Sequence, residues 1–481
     1  MSQTKTIAII GGGITGLSAA YHAQISFPGA KIVLIESAAR LGGVLQTDHV
    51  DGYTIERSAD MFVTDPPHAL DVCQQLGREG ELIQTTPTRD RAFVATSDSM
   101  HPVPSGLSLM LPNDLDSVLG SPLLDEKAKL RFQQEADVPA RQSDQDESLE
   151  SFAVRRYGQS VFEQLIQPLV SGIYTADPKK LSMNATMKRF VDMEQEHGSL
   201  IRAAENSKSN SKTSAHEKQA SGARYGLFRA PQKGMEQLVG WLAESLDRTE
   251  CRLSCQVDQI QNNDSGWEIQ TRSNVDGAKK SPETISVDGI VVATSASIAG
   301  NLLGEVDGEL AQELGTIQAA SSAIVVMGVD RNQIARQFDG YGIIVPSVLR
   351  RKVIATSFSS NKFAGRAPAG KLLIRTFIGG ALQAELVELD DEALVQIAID
   401  ELKATVGFSG QPELSRVYRW RNCMPQYHLG HVERVESIQQ MTGRHCGLEL
   451  AGNSYRGVGI PACIQSGLQA IERLKSQISD L

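Results

Sequence analysis

Ile7-Ala8-Ile9-Ile10 runs straight into Gly11-Gly12-Gly13-Ile14-Thr15-Gly16, so Gly11, Gly13 and Gly16 stand at the G-x-G-x-x-G spacing behind an apolar strand. No other feature of the chain constrains its fold as much. The first glycine permits a tight turn, the second lets backbone approach a pyrophosphate, and the third packs helix against strand. The helix predicted from Ile14 to Gln24 then offers unpaired N–H groups and the positive end of its dipole to phosphate, with Ile14 and Thr15 at the rim. A second strand, Lys31 to Ile35, ends at Glu36, twenty residues past Gly16, where an acid accepts hydrogen bonds from ribose hydroxyls beside Ser37. Strand, glycines, helix, strand and acid in that order predict a Rossmann-like dinucleotide site, and leave NAD and FAD both open.

Arg40 and the pair Gly42-Gly43 favour FAD, because the guanidinium neutralises pyrophosphate charge and the glycines let backbone pass close to a ligand. At the other end, Leu448 to Leu450 reads as a strand entering the turn Ala451-Gly452-Asn453. Tyr455-Arg456-Gly457-Val458-Gly459-Ile460-Pro461 follows, and then a helix from Ala462 whose N-terminus can face a flavin. The expected cofactor contacts from this part are Gly452, Asn453, Gly457, Val458, Gly459 and Ile460.

More specific segments lie between. Asp146-Glu147-Ser148-Leu149-Glu150-Ser151-Phe152 precedes Arg155-Arg156-Tyr157-Gly158. Pro168-Leu169-Val170-Ser171-Gly172-Ile173-Tyr174-Thr175-Ala176-Asp177-Pro178 continues to Met183. Gly234-Met235-Glu236-Gln237-Leu238, Gly340 to Ser347 and Phe358-Ser359-Ser360 come later. With the glycine turns, these make the chain resemble the FAD-dependent porphyrinogen oxidases of haem synthesis, within the wider amine oxidase and phytoene desaturase superfamily. The resemblance covers nearly the whole chain. Thr175-Ala176 departs from the small Ala-Gly or Gly-Gly pairs common in bacterial relatives, which bears on the local shape of the substrate cavity.

The resemblance implies an α/β architecture: a Rossmann-like FAD-binding domain, an α+β substrate domain and a helical insert. The FAD domain is expected over 1–88, 230–300 and 425–481, the insert over 92–210, and the substrate domain over 301–424 with 89–91 and 222–229. Local patterns agree. Cys255 to Ile260 and Gly266 to Ile269 alternate at period two, and Gly289 to Thr294 reads as a buried parallel strand. Val257, at the adenine end, and Ala293 are expected to contact the cofactor. Ala323 to Val329 and Lys371 to Phe377 read as strands and Asp391 to Val406 as a helix, while Leu149 to Leu169 carries helical periodicity. Gln133–Glu147 and Glu205–Ser221 lack apolar periodicity and read as mobile loops.

With 481 residues, of which 41% are hydrophobic, the chain can bury two or three substantial cores. A formal charge of −10 argues against nucleic-acid binding, which needs a basic face. Six cysteines form no C-x-x-C pair and no signal peptide precedes the first strand, so a cytoplasmic location is expected. Met100 to Leu111 is apolar enough for peripheral contact with the inner face of a membrane, although buried core is the preferred reading. Hand-off to other haem-pathway enzymes is a further partner expectation, and oligomeric state is left open.

The resemblance implies a six-electron oxidation of a porphyrinogen in three steps, each passing hydride to flavin that dioxygen then reoxidises to give hydrogen peroxide. Coproporphyrinogen III is slightly favoured over protoporphyrinogen IX. No side chain is expected to serve as catalytic acid or base, because the cofactor carries the chemistry. No metal is expected either: His428-Leu429-Gly430-His431 has no cysteine or acidic companion at ligand spacing. For the substrate, cations at the rim and apolar walls are needed. Arg91 is the first cation candidate, and Arg350, Arg351 and Lys352 form the second group. Ile343, Val345, Phe358 and Phe363 are the expected walls, with Gly172 and Tyr174 beneath the ring. A flavin amine oxidase or carotenoid-type desaturase, and a non-enzymatic FAD scaffold, remain as alternatives at this point.

Overall fold

The computed structural model describes residues 4–87, 91–210, 224–263, 266–273, 281–336 and 338–478. Its first layer is a five-stranded sheet in the order Thr249–Arg252, Lys31–Ile35, Thr6–Ile10, Gly289–Val292, Leu448–Leu450. All of its pairings are parallel, with Ile9 opposite both Leu34 and Val291, and Val291 opposite Glu449. The three central strands are buried on both faces and read as apolar runs, whereas the edge strand Thr249–Arg252 is partly exposed and polar. The helix Ile14–Ser26 packs against the last helix, Ile460–Ile478, and a Cβ on Gly467 would lie 2.5 Å from the Thr15 carbonyl oxygen. On the far side, the antiparallel meander Cys255–Asn263, Gly266–Ser273, Glu283–Val287 closes a second apolar layer.

A seven-stranded sheet forms the other half, in the order Leu414–Pro425, Ala319–Asp330, Lys371–Gly379, Ala355–Phe358, Gly342–Ile344, Ala92–Ala95, Met100–Pro102. Residues 92–102 therefore belong to this sheet rather than to the helical insert in which the sequence pattern placed them. They are too short for periodicity to declare them, and only pairing with Gly342–Ile344 makes them strands. One sheet face is covered by the helix Asp391–Val406, capped by the Asp390 side chain and closed by Gly407 at φ 67°. The other looks towards the parallel sheet.

The helices between 115 and 210 gather around Phe152, Tyr157, Leu165, Ile166 and Phe190. Met110 and Leu107 of the apolar stretch lie in this core, and the Tyr157 hydroxyl donates to the Met110 carbonyl at 2.6 Å. Gln133–Glu147 is not the loose loop its composition suggests. Glu135 is fully buried, pairs with Arg156, and accepts from the Ser199 hydroxyl and the backbone of Leu200 and Ile201. Of Glu205–Ser221, the part to Asn210 continues a helix begun at Leu200 and 211–221 lies outside the described residues. Among those residues no helix is long and apolar enough to cross a membrane.

Candidate functional site

The three motif glycines do different things. Gly11 sits at φ 104°, and a Cβ there would meet the Ala293 carbonyl oxygen at 2.7 Å. A Cβ on Gly16 would collide with the Gly11 carbonyl, whereas one on Gly13 would meet nothing within 4 Å. Gly11 and Gly16 thus let the chain close on itself, and Gly13 leaves open space beside the first turn of its helix. That helix has no side-chain cap and no acid in its first turn, so its positive end is unclaimed by protein.

Glu36 ends the second strand with its carboxylate fixed by two backbone donors, Gly12 N–H at 2.6 Å and Ala38 N–H at 2.7 Å, while Ser37 Oγ lies 3.3 Å away. Cys255 N–H donates to the Glu36 carbonyl at 2.9 Å, which brings the bulge at Val257 to this end of the sheet. Gly42 N–H bonds the Gly12 carbonyl at 2.7 Å, and a Cβ on Gly43 would sit 3.2 Å from Gly13 Cα. Arg40 donates to the carbonyls of Leu41, Leu45 and Gly43, so it shapes this glycine loop from within. Opposite, Gly452 at φ 136° donates to Ser466 Oγ, the Asn453 carbonyl accepts from Tyr427, and Gly457 at φ 95° lets 458–460 turn into the last helix. The residues expected to hold a dinucleotide converge on one crevice at the carboxyl ends of the parallel strands, between the N-termini of two helices. An uncapped helix start, an open Gly13 edge and a backbone-held acid at the next strand end fit the phosphates and ribose of FAD.

Beside this crevice the helix Gln167–Tyr174 ends at Thr175 in the left-handed region, φ 48°. Gly172 is exposed, with open space where a side chain would stand, and Gln426 Nε2 approaches the Tyr174 carbonyl at 3.4 Å. The helix is tied to the seven-stranded sheet by Gln167 Oε1, which accepts from Ser347 N–H at 3.0 Å, and by the Thr175 carbonyl, which accepts from Ala381 N–H at 2.8 Å.

Three of the expected walls lie on the face of that sheet covered by the helix Asp391–Val406, and the fourth lies off the sheet. Ile343, Val345 and Phe358 are nearly or fully buried and pack with Leu394, Ala398 and Leu402 of the covering helix. Phe363 is buried in the core that also holds Leu45, Ala451 and Ile460. Register identifies the residues of the opposite face. Gly342 pairs with Ser357, Ser357 with Arg375, and Ala355 with Phe377, so these and Ile344 share the face that carries Ile324 and Val326, which pack on Tyr53 and Ile55. Ile344, Ala355, Ser357 and Phe377 are half-buried, as a cavity wall requires. With both faces apolar, hydrophobic alternation could not tell one from the other.

The cations are disposed unequally. Arg91 is exposed, 3.8 Å from Asp339, and Asp90 lies outside the described residues. Arg350 is an exposed helix cap at φ 53° and Lys352 is exposed. Arg351 is committed elsewhere: it donates to Glu401 at 3.0 Å and to the Thr96 carbonyl at 2.7 Å. Burial raises the Glu401 carboxyl above its ordinary range and Arg351 opposes the rise. His431, of the H-x-x-H segment, stacks on Tyr427 at 4.0 Å, and burial pushes it down to about 4 while its Nε2 lies 3.0 Å from the Tyr455 carbonyl.

The sequence profile of the flavin containing amine oxidoreductases matches residues 14–474. A coproporphyrinogen III oxidase of Bacillus subtilis (strain 168) is 29% identical over 472 residues, 97% of each chain. One from Staphylococcus aureus (strain NCTC 8325 / PS 47) is 28% identical over 480 residues, 99% of this chain and 100% of its own. A crystal structure of a candidate protoporphyrinogen oxidase from Exiguobacterium sp. 255-15 superposes with TM-score 0.84 at 30% identity, covering 98% of this chain and 99% of that one.

Proposed function

Because the chain belongs to the flavin containing amine oxidoreductase family, with FAD as its cofactor, we propose that it oxidises a porphyrinogen to a porphyrin in haem synthesis, with coproporphyrinogen III preferred. The observation that carries this reading is end-to-end similarity to relatives named for that reaction, over 97% or more of both chains. Protoporphyrinogen oxidases also match, at 25% identity for an Arabidopsis thaliana enzyme, so protoporphyrinogen IX is the second substrate to test. Putrescine oxidase shares 13% identity in structure, a likeness of fold that carries no substrate.

Bound FAD supplies a two-electron acceptor and, through dioxygen, the means to restore it. Gly11, Gly13, Gly16, Glu36, Gly42, Gly43, Gly452 and the 457–460 turn hold that cofactor. Ile344, Ala355, Ser357 and Phe377 floor the cavity, and Gly172 lets a flat ring approach the backbone of the helix end. Arg91 and Arg350 offer charge to propionates at the rim. Loss of six hydrogens converts porphyrinogen to porphyrin, and three molecules of dioxygen take them up as three of hydrogen peroxide. No acid–base residue is required, since pyrrole N–H protons exchange with water. Peripheral membrane contact finds no support in Leu107 and Met110, which are buried.

The test is anaerobic. Coproporphyrinogen III mixed with the FAD-loaded protein should bleach the flavin absorbance within a turnover, with porphyrin fluorescence appearing once dioxygen is admitted to restore the flavin for the remaining two steps. Bleaching by a primary amine and not by either porphyrinogen would replace this reading with that of an amine oxidase.

A further inference from the structure

Between the two sheets lies a cluster of buried charge that the reaction above does not use. Asp60 places its carboxylate 2.9 Å from Lys362 Nζ and 3.2 Å from Arg375 Nη1. Asp60 is 7% exposed, Lys362 8% and Arg375 1%. Burial acts to raise the Asp60 carboxyl, but Lys362 and Arg375 overcome it and bring the group down to about 2. The group is therefore a carboxylate facing two cations. Arg366 lies 3.9 Å from Glu56 alongside, and Asp48 pairs with Arg57. Within the triad itself, two cations face one carboxylate. Arg375 also keeps a buried Nε–H with no acceptor among the described residues, while its other end donates to the Ser58 carbonyl.

A desolvated excess charge and an unused donor are costly unless something anionic answers them. Local contacts indicate what that is. Ser58, two residues from Asp60, donates to the Val44 carbonyl at 2.6 Å, on the glycine loop that meets the cofactor. Phe363, next to Lys362, belongs to the same apolar core as Leu45, Ala451 and Ile460. Ser357, paired with Arg375, is on the cavity face.

We propose that Lys362, Asp60 and Arg375 are an electrostatic complement to FAD, holding one net positive charge at the domain interface that stabilises the negative charge a bound flavin gains on reduction. The inference rests on the FAD reading and adds to it residues that tune the cofactor rather than touch substrate. In a low-dielectric site such a charge favours the reduced state and speeds acceptance of hydride.

The experiment is the two-electron reduction potential of the FAD-loaded protein, measured without substrate. Lys362→Met should shift the equilibrium at least tenfold towards oxidised flavin, about 30 mV more negative. Asp60→Asn, which raises the net charge, should shift it in the opposite direction, and Lys362→Arg should leave it near the starting value. General damage to the interface would not reverse sign between these variants. Potentials that stay together in all three, or that move the same way in Lys362→Met and Asp60→Asn, would overturn the proposal. Should Lys362→Met fail to fold, Asp60→Asn against Lys362→Arg decides the same question. Retention of FAD by the unaltered protein tests the cofactor reading separately.

Discussion

Arg156 and Glu135 form an ion pair with no solvent exposure on either side chain. The guanidinium Nε donates to Glu135 Oε1 at 2.6 Å and Nη1 reaches Glu194 at 3.1 Å, so one arginine joins three parts of the helical insert. Removing one partner of such a pair strands the other's charge in the core. Arg156→Met is expected to lose about 3–5 kcal/mol of stability, read as the shift in urea midpoint, with FAD contacts left in place.

The glycine turn separates stability from binding. Gly13→Ala adds a methyl where no protein atom lies within 4 Å, so thermal stability of the flavin-free protein should hold while FAD affinity drops. Gly16→Ala adds one against the Gly11 carbonyl, so both should fall. Calorimetry of the flavin-free protein and titration with FAD distinguish the two.

Two phenylalanines test which face of the sheet meets substrate. Phe358 is fully buried under the covering helix, and Phe358→Ala should cost about 3–5 kcal/mol of stability. Phe377 is half-buried on the other face, and Phe377→Ala should change KM for porphyrinogen with a smaller loss of stability. The reverse pattern would mean that the cavity lies on the helix side.

These two residues also mark how far sequence reaches. The parallel-sheet half is legible because glycine spacing, apolar runs and the acid at Glu36 specify one strand–turn–helix–strand unit, and Thr6–Ile10 and Lys31–Ile35 pair in parallel around that turn. The substrate half is not, because strands apolar on both sides carry no sign of direction and Ala92–Ala95 becomes a strand only through its partner. Glu135 is similar: in a polar stretch it looks solvated until Arg156, twenty-one residues on, is placed over it. Arg350 and Arg351 are neighbours of equal charge, yet only contact with Glu401 shows that the second is already engaged.

Glu56 gives the protein a pH signature. Burial raises its carboxyl from 4.5 to about 7 despite Arg366, Thr47 and the Met235 N–H. A folded-state value above the unfolded one means that the folded chain binds more protons between them, so stability falls as pH rises from 4.5 towards 7, by roughly 1.4 kcal/mol per unit at most. Glu56→Gln should remove that slope. Melting temperatures of both proteins across the window check it, and an equal slope in the variant would assign the dependence elsewhere.

The most direct measurement is aerobic turnover of coproporphyrinogen III by the FAD-loaded protein, with porphyrin followed by fluorescence and hydrogen peroxide assayed in the same sample. The account expects a rate above autoxidation, three peroxides for each porphyrin formed, and slower oxidation of protoporphyrinogen IX. Oxidation of neither porphyrinogen above the rate without protein would contradict it.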